Sequence, residues 1–354
     1  MGDAYLILEN GTVFKGQQLG HDSEVVGELV FSTSMTGYME TLTDPRYFGQ
    51  IVLQTFPLIG NYGVIPDEMR SPEVHAGAYV VRDCCQEPSN FRSEGNLDSF
   101  LSEMKTTGLS GIDTRALTRV IRENGTMNAM ISKTPKLSEE QWSKLREHKV
   151  TDAVASLPRS STQTAPPEKE QGTQTDSPSV LIWDFGDASW LAKLLAENGC
   201  SPTVVAFDST ADSILAHNPG GVALTCGPGN PADQIAIIEE IKKLCDRNIP
   251  ILAVGLGHQM LALAHGAKTG KLPFGHRGAN QPVSECGTGR AFVTSQNHGY
   301  AVLPHSLPDT AEMSHVNIND GSCEGVVYKT IPAISVQFDP GEDTINRFAE
   351  MMRG

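Results

Sequence analysis

From residue 179 onward the chain repeats one unit, a short apolar run that turns into an amphipathic stretch, and this rhythm constrains the fold more than any other feature. Val180-Leu181-Ile182-Trp183 leads to a helix predicted over Ser189 to Glu197 that stops at Asn198-Gly199, and Thr203-Val204-Val205 follows. Gly221-Val222-Ala223-Leu224 passes through Cys226-Gly227-Pro228-Gly229-Asn230-Pro231 into a helix whose predicted apolar face is Ile235, Ile238, Ile241 and Leu244. Ile251-Leu252-Ala253-Val254 turns at Gly255-Leu256-Gly257 into a helix carrying Met260, Leu261 and Leu263. Buried strands alternating with amphipathic helices predict a parallel sheet covered on both faces. In such sheets ligands collect at the carboxyl ends of strands, where both glycine-rich turns fall.

Residues 158–178 contain no Val, Ile, Leu, Met or aromatic residue, so burial cannot offset their ordering entropy, and they read as a linker. The expected domains are therefore 1–157 and 179–354, each long enough to bury its own core. The first reads as a β-rich α/β unit. Its strand signals are Tyr5 to Leu8, the hairpin dipeptide Asn10-Gly11, Val13-Phe14, Glu28 to Phe31 and Gln50 to Leu53. One helix stands out after Ile112, with Asp113 as N-cap, Ile112 and Leu117 as a hydrophobic staple and Asn124-Gly125 as its stop. The pattern leaves the strand order of this unit open.

Charge narrows the partners. A formal net charge of -15 without a dense Lys/Arg cluster excludes nucleic acid or an anionic membrane surface as a main partner. No run approaches the roughly 18 apolar residues of a membrane span, and Asp3 and Glu9 stand where a signal peptide needs basic and apolar residues, so a cytoplasmic location is expected. Gly2 suggests myristoylation, but Leu6 stands where that motif needs Ser or Thr. The cysteines number 7, are scattered, and include no C-x-x-C pair, which argues against a disulfide framework or a zinc site; no metal is expected.

A strand that ends in a sharp Gly-x-Gly turn at a helix N-terminus is the geometry that presents a nucleophile beside free backbone N–H groups, yet position 255 is glycine. A tight turn packed through small residues explains the same pattern. A dinucleotide fingerprint fits poorly, since Gly255-Leu256-Gly257-His258-Gln259-Met260 lacks the third glycine. Gly227 to Pro231 reads either as an oxyanion-binding loop or as an ordinary Pro/Gly turn. Thr294 to Tyr300 is a polar run that suits a substrate-contacting loop or a surface turn. His258 and His298 are candidate bases, although lone histidines are more often structural.

Taken together, Gly227-Pro228-Gly229-Asn230-Pro231, Gly257-His258-Gln259, Gly275 to Pro282, Thr294 to Gly299 and Ser335-Val336-Gln337-Phe338 resemble the class I, triad-type glutamine amidotransferase domain of the carbamoyl phosphate synthetase small subunit. The other half matches independently: Thr36-Gly37-Tyr38, Leu42-Thr43-Asp44-Pro45, Phe56 to Gly63 and Gly111 to Arg115 are similar to that subunit's N-terminal domain. The resemblance implies a β-rich small-subunit domain followed by an amidotransferase-like parallel-sheet domain. It also implies hydrolysis of glutamine through a γ-glutamyl thioester, and pairing with a large subunit that makes carbamoyl phosphate for arginine or pyrimidine biosynthesis. By the same resemblance this chain holds no cofactor, and ATP and magnesium act only on the large subunit.

The departures from that pattern fall on the chemistry. The family's nucleophilic Cys position is Gly255, its His base falls at Asp339, and its Glu falls at Gly341 or in a short deletion there. Arg46 replaces a Ser near the bound glutamine, and Cys226 replaces the usual Asn. Gly227, Gly229, Leu256, Gln259, Asn297, Gly299 and Tyr300 match the glutamine-binding positions. Glycine forms no thioester, and losing a triad nucleophile costs on the order of 10⁶ in rate. An Asp, with a pKa of about 3.9 against about 6.5 for His, is a poor base near neutrality. The expectation is a glutaminase-inactive small subunit supporting an ammonia-using large subunit. Two alternatives stand beside it: hydrolysis through Cys226, whose thiol is expected to lie away from the elbow helix N-terminus that would activate it, and a stand-alone small-molecule sensor.

Overall fold

The computed structural model describes residues 2–150, 153–158 and 177–353; the expected linker lies outside them except at its ends. Contacts divide the chain into two units, Met1–Thr151 with Pro273–Ala279, and Asp152–Leu272 with Asn280–Gly354. The division falls earlier than residue 157 because the short helix Ala153–Ser156 belongs to the second unit, where Val154 is buried in the core.

In the first unit the strands are β1 (Asp3–Leu8), β2 (Val13–Gly20), β3 (Val25–Ser32), β4 (Gln50–Gln54), β5 (Leu58–Ile59), β6 (Ala78–Val80), β7 (Asp83–Cys84), β8 (Thr107–Ser110) and β9 (Met127–Ser132). Seven of them close a barrel in the order β1-β2-β8-β6-β4-β3-β9. The run β8-β6-β4-β3 is parallel and the remaining pairs are antiparallel. Successive side chains face opposite ways, and here both sets are buried. Leu29, Phe31, Ile51, Leu53 and Val80 pack with Leu117 and Ile121 of the helix Thr114–Asn124. Val30, Val52 and Tyr79 pack with the helices Tyr38–Thr43 and Leu97–Glu103. The helix Thr114–Asn124 begins and ends as its sequence predicts: Asp113 Oδ1 accepts from the Ala116 N–H at 2.9 Å, and Gly125 closes it with φ +85°. The distant segment Pro273–Ala279 joins this unit because the Arg277 carbonyl accepts from Thr33 N–H at 3.1 Å and Pro273 accepts from Thr126 N–H at 2.7 Å.

The remaining strands are β10 (Ser179–Trp183), β11 (Ser201–Val205), β12 (Gly221–Leu224), β13 (Ile251–Val254), β14 (Thr269–Glu285, whose Pro273–Ala279 part belongs to the first unit), β15 (Ala291–Val302), β16 (Ala311–Asn317), β17 (Cys323–Tyr328) and β18 (Ala333–Val336). They form one sheet ordered β11-β10-β12-β13-β18-β17-β15-β14-β16. The part from β11 to β18 is parallel, as the alternation predicts. The rest is an antiparallel extension, because short turns join antiparallel neighbours whereas parallel ones need a crossover. Ile238, Ile241, Leu244, Met260 and Leu261 cover one face of the parallel part, and Leu191, Leu195, Ile345 and Phe348 the other. Ile235, expected on the apolar face, is 68% exposed as the first residue of the helix Ile235–Cys245, and Ile237 is buried instead. Among the described residues no helix is long and apolar enough to cross a membrane.

The helix Leu256–Ala264 is tied to the sheet by His258, which is fully buried. Ser335 Oγ donates to the Val326 carbonyl at 3.2 Å, so it accepts from His258 Nδ1–H at 2.8 Å. His258 Nε2 is then the bare nitrogen, and it has no partner. Burial, with a smaller contribution from His315, pushes the His258 pKa down to about 3. Between that value and the unfolded pKa of about 6.5 the unfolded chain holds a proton that the folded chain refuses. His258 therefore contributes stability that is present above pH 6.5 and lost as the pH falls toward 3. In His258→Asn, whose amide still reaches Ser335, the unfolding free energy should lose up to about 1.4 kcal/mol per pH unit less than wild type across this window. Denaturant titrations at pH 4, 5, 6 and 7 check this; parallel pH profiles would show His258 to be uninvolved.

Candidate functional site

The turn after β13 is built from backbone. Gly255 donates its N–H to the Val336 carbonyl at 2.9 Å and holds φ +55°, ψ −110°, a conformation that L side chains rarely adopt. Gly257 is needed for a different reason: a Cβ there would lie 2.6 Å from the Leu224 carbonyl oxygen and 2.7 Å from the Leu224 Cβ. Without one, the Gly257 N–H reaches the Thr225 carbonyl at 3.1 Å, fastening the elbow helix to the end of β12.

The loop after β12 lies against the same elbow. Thr225 Oγ1 accepts from Phe185 N–H at 2.7 Å. A Cβ on Gly227 would stand 2.9 Å from Leu256 Cδ2, so the loop and the first residue of the elbow helix are in contact. Among the described residues the N–H groups of Gly227 and Leu256 have no acceptor. Donors of this kind suit a carbonyl oxygen that gains negative charge. Gly229, with φ +94°, turns the loop away.

The structure changes the reading of Cys226. A Cβ at Gly255 would lie 2.6 Å from Cys226 Sγ, 3.3 Å from its Cβ and 3.5 Å from its Cα. The buried thiol thus stands at the elbow, beside the helix N-terminus from which the sequence reading had separated it, because the loop folds back under the turn. The two positions that the resemblance assigns to a base and its orienting residue, Asp339 and Gly341, contrast with it. Asp339, half-buried, donates its N–H to the Ser295 carbonyl at 3.0 Å and follows Phe338, which packs edge-on against Phe292 and His315 with centroids 5.7 and 5.4 Å away. Gly341 is exposed, has open space at its Cβ position, and its carbonyl accepts from Ile345 N–H at 3.3 Å as the helix Glu342–Arg353 begins.

Neither candidate histidine replaces the missing base. His258 is locked beneath the helix by Ser335. His298 directs Nδ1 to the Tyr300 carbonyl at 2.8 Å and Nε2 to Gln296 Oε1 at 3.0 Å, with Glu324 Oε2 at 3.9 Å. Both nitrogens are engaged by residues of its own strand, Tyr300 and Gln296.

Of the glutamine-binding positions suggested by resemblance, Asn297, Gly299 and Tyr300 lie on β15, and Gln259 reaches that strand. Gln259 Nε2 donates to the Tyr300 carbonyl at 2.7 Å and to Gln337 Oε1 at 2.7 Å. Gln337, 1% exposed, went unassigned in the sequence although its motif, Ser335 to Phe338, was visible there. Its role appears only when β18 is laid beside the elbow helix. In the first unit Arg46 is buried. Its Nε donates to both Asp44 carboxylate oxygens at 2.9 Å, and its Nη2 lies 2.9 Å from Oδ2, so the charge is offset within its own turn.

Known proteins carry the same two-part arrangement. Residues 6–131 match the family described as carbamoyl-phosphate synthase small chain, CPSase domain, and residues 181–349 match glutamine amidotransferase class-I. The carbamoyl phosphate synthase small chain of Clostridium perfringens (strain 13 / Type A) is 44% identical over 337 residues, covering 95% of this chain and 93% of that protein. The corresponding small chain of Lactococcus lactis subsp. lactis (strain IL1403) is 45% identical over 341 residues, covering 96% and 93%. With both halves matched and nearly the whole length covered, the chain belongs to the carbamoyl phosphate synthase small chain family.

Proposed function

We propose that this chain is a glutaminase-inactive cytoplasmic small subunit. It binds and supports a synthetase large subunit that makes carbamoyl phosphate from ammonia, bicarbonate and ATP, with ATP and magnesium held by that partner. The observation that carries this reading is the elbow: the strained turn and its N–H donors persist, while residue 255 has no side chain and Cys226 Sγ fills the space its Cβ would need. Thioester formation requires a thiolate, a base and an oriented carbonyl. Here only the groups that orient a carbonyl remain, at Gly227, Leu256 and Gln259. Glutamine is thus the small molecule these residues match, as a ligand that is not turned over.

A second reading, hydrolysis through Cys226, is favoured by one observation, the position of its thiol beside the elbow helix. It lacks a base, since His258 is buried beneath the helix, His298 is engaged at both nitrogens and Asp339 stands at the position that the resemblance gives to an imidazole.

Mixed with a large subunit from a relative, the chain should support carbamoyl phosphate formation from ammonia and give no measurable formation from glutamine. Glutamine-driven synthesis that disappears in Cys226→Ala would establish the second reading. Failure to bind any large subunit would favour a free-standing sensor.

Gly255→Cys should stay inactive and should also lose about 1–3 kcal/mol of stability, because its Cβ collides with Cys226 Sγ on a backbone at positive φ. Adding Cys226→Ala should return part of that loss. Chemical denaturation of the two single variants and the double measures the coupling; additive effects would show that the two residues do not share the space.

A further inference from the structure

Residues two apart on an extended segment face the same way, and Ser335 and Gln337, in β18 and just beyond its end, take hold of consecutive residues of the elbow helix. Ser335 Oγ meets His258 Nδ1 at 2.8 Å, and Gln337 Oε1 meets Gln259 Nε2 at 2.7 Å. Backbone bonds pin Gln337 in place. Its N–H donates to the Glu324 carbonyl at 2.9 Å, and the carbonyl of Val336 just before it accepts from Gly255 N–H at 2.9 Å. Gln337 therefore stands beside the turn itself, 1% exposed.

The direction of each amide follows from what a carbonyl can do. A backbone carbonyl only accepts, so the Gln259 atom 2.7 Å from the Tyr300 carbonyl is the nitrogen, Nε2. The same nitrogen lies 2.7 Å from Gln337, which must present its oxygen to it. Both hydrogens of the Gln259 amide are thus committed, one to each acceptor. A ligand that meets this amide meets its oxygen, and an amide oxygen pairs only with a donor.

Gln337 keeps this orientation against its own interest. Its Nε2 is buried and has no acceptor, an unfavourable state for an amide. A methionine of similar length would fill the same space with no unpaired donor, so packing alone does not account for a glutamine here. Its oxygen does, because that atom takes the second hydrogen of Gln259.

We infer that Gln337 is a positioning residue that acts through Gln259: by occupying the last N–H of the Gln259 amide it makes this contact select a ligand group that carries N–H, a carboxamide or an ammonium, over a carboxylate. The inference rests on the reading of Gln259 as a glutamine contact and adds the residue that gives the contact its polarity.

Calorimetry on the full-length chain tests this with L-glutamine, which carries both groups, with L-glutamate, which keeps only the ammonium, and with 4-carbamoylbutanoate, which keeps only the carboxamide. Gln337→Met releases one Gln259 hydrogen and lets the amide turn, and should weaken L-glutamine binding about tenfold. L-glutamate should weaken with it while 4-carbamoylbutanoate holds if the ammonium meets Gln259, and the converse if the carboxamide does. Gln337→Glu, whose carboxyl keeps an oxygen toward Gln259, should restore the affinity for L-glutamine. An equal loss for all three ligands, a loss for none, or a Gln337→Glu that binds as weakly as Gln337→Met overturns the inference and leaves the glutamine reading standing. Wild type that binds none of the three overturns both. If Gln337→Met does not fold, hydrogen exchange of the Gln259 side-chain amide in wild type decides: two protected protons are expected, and one in fast exchange overturns the inference.

Discussion

With only hydrogen as a side chain at residue 257, the helix Leu256–Ala264 lies so close to the end of β12 that its backbone N–H reaches the Thr225 carbonyl. Most of the second unit's candidate site follows from that approach. It draws the loop Gly227 to Gly229 against Leu256, places Cys226 beneath the turn, and carries Gln259 to β15 and Gln337. A methyl group at 257 would meet main-chain atoms of Leu224, which cannot move aside without shifting the strand.

This dependence shows which parts of the candidate site are held by the backbone. The turn, the donors at Gly227 and Leu256 and the Gln259–Gln337 pair are held by main-chain geometry and by amides, none of which needs a thiol, an imidazole or a carboxylate to stay in place. The three positions that the resemblance assigns to a triad are different in kind. Gly341 is exposed with open space around it, Asp339 is half-buried in the loop after β18, and Gly255 is a turn residue at positive φ. At Gly255 a side chain would meet Cys226, whose Sγ lies 2.6 Å from where its Cβ would stand.

Buried charge is handled by the same economy of near neighbours. Arg46 sits on a carboxylate of its own short turn, and Asp44 also caps that turn through the Arg46 N–H at 2.9 Å. Glu324, fully buried on β17, accepts from Asn317 Nδ2 at 3.1 Å. An isolated buried charge is strongly unfavourable, whereas one met by a local, well-oriented partner is tolerated. A charged residue at position 46, in place of the neutral one that the family resemblance predicts, is compatible with the fold for this reason.

The sequence by itself determined the strands and helices of the parallel half, the capped helix after Asp113 and the two-part organisation, because these depend on residue type and on periodicities within about a dozen neighbours. The barrel closure of the first unit, the antiparallel extension and the attachment of Pro273–Ala279 to the first unit came only from the tertiary structure, since pairing between distant strands leaves no local signature. The same holds for individual residues. Ile235 fits an apolar stripe by spacing, yet it is exposed because its helix begins there. Cys226 looks remote from residue 255 along the chain, and Gln337 looks like one more strand residue. Both join the elbow because β12, β13 and β18 lie side by side, and adjacency across a sheet is set by backbone hydrogen bonds that every residue type makes alike.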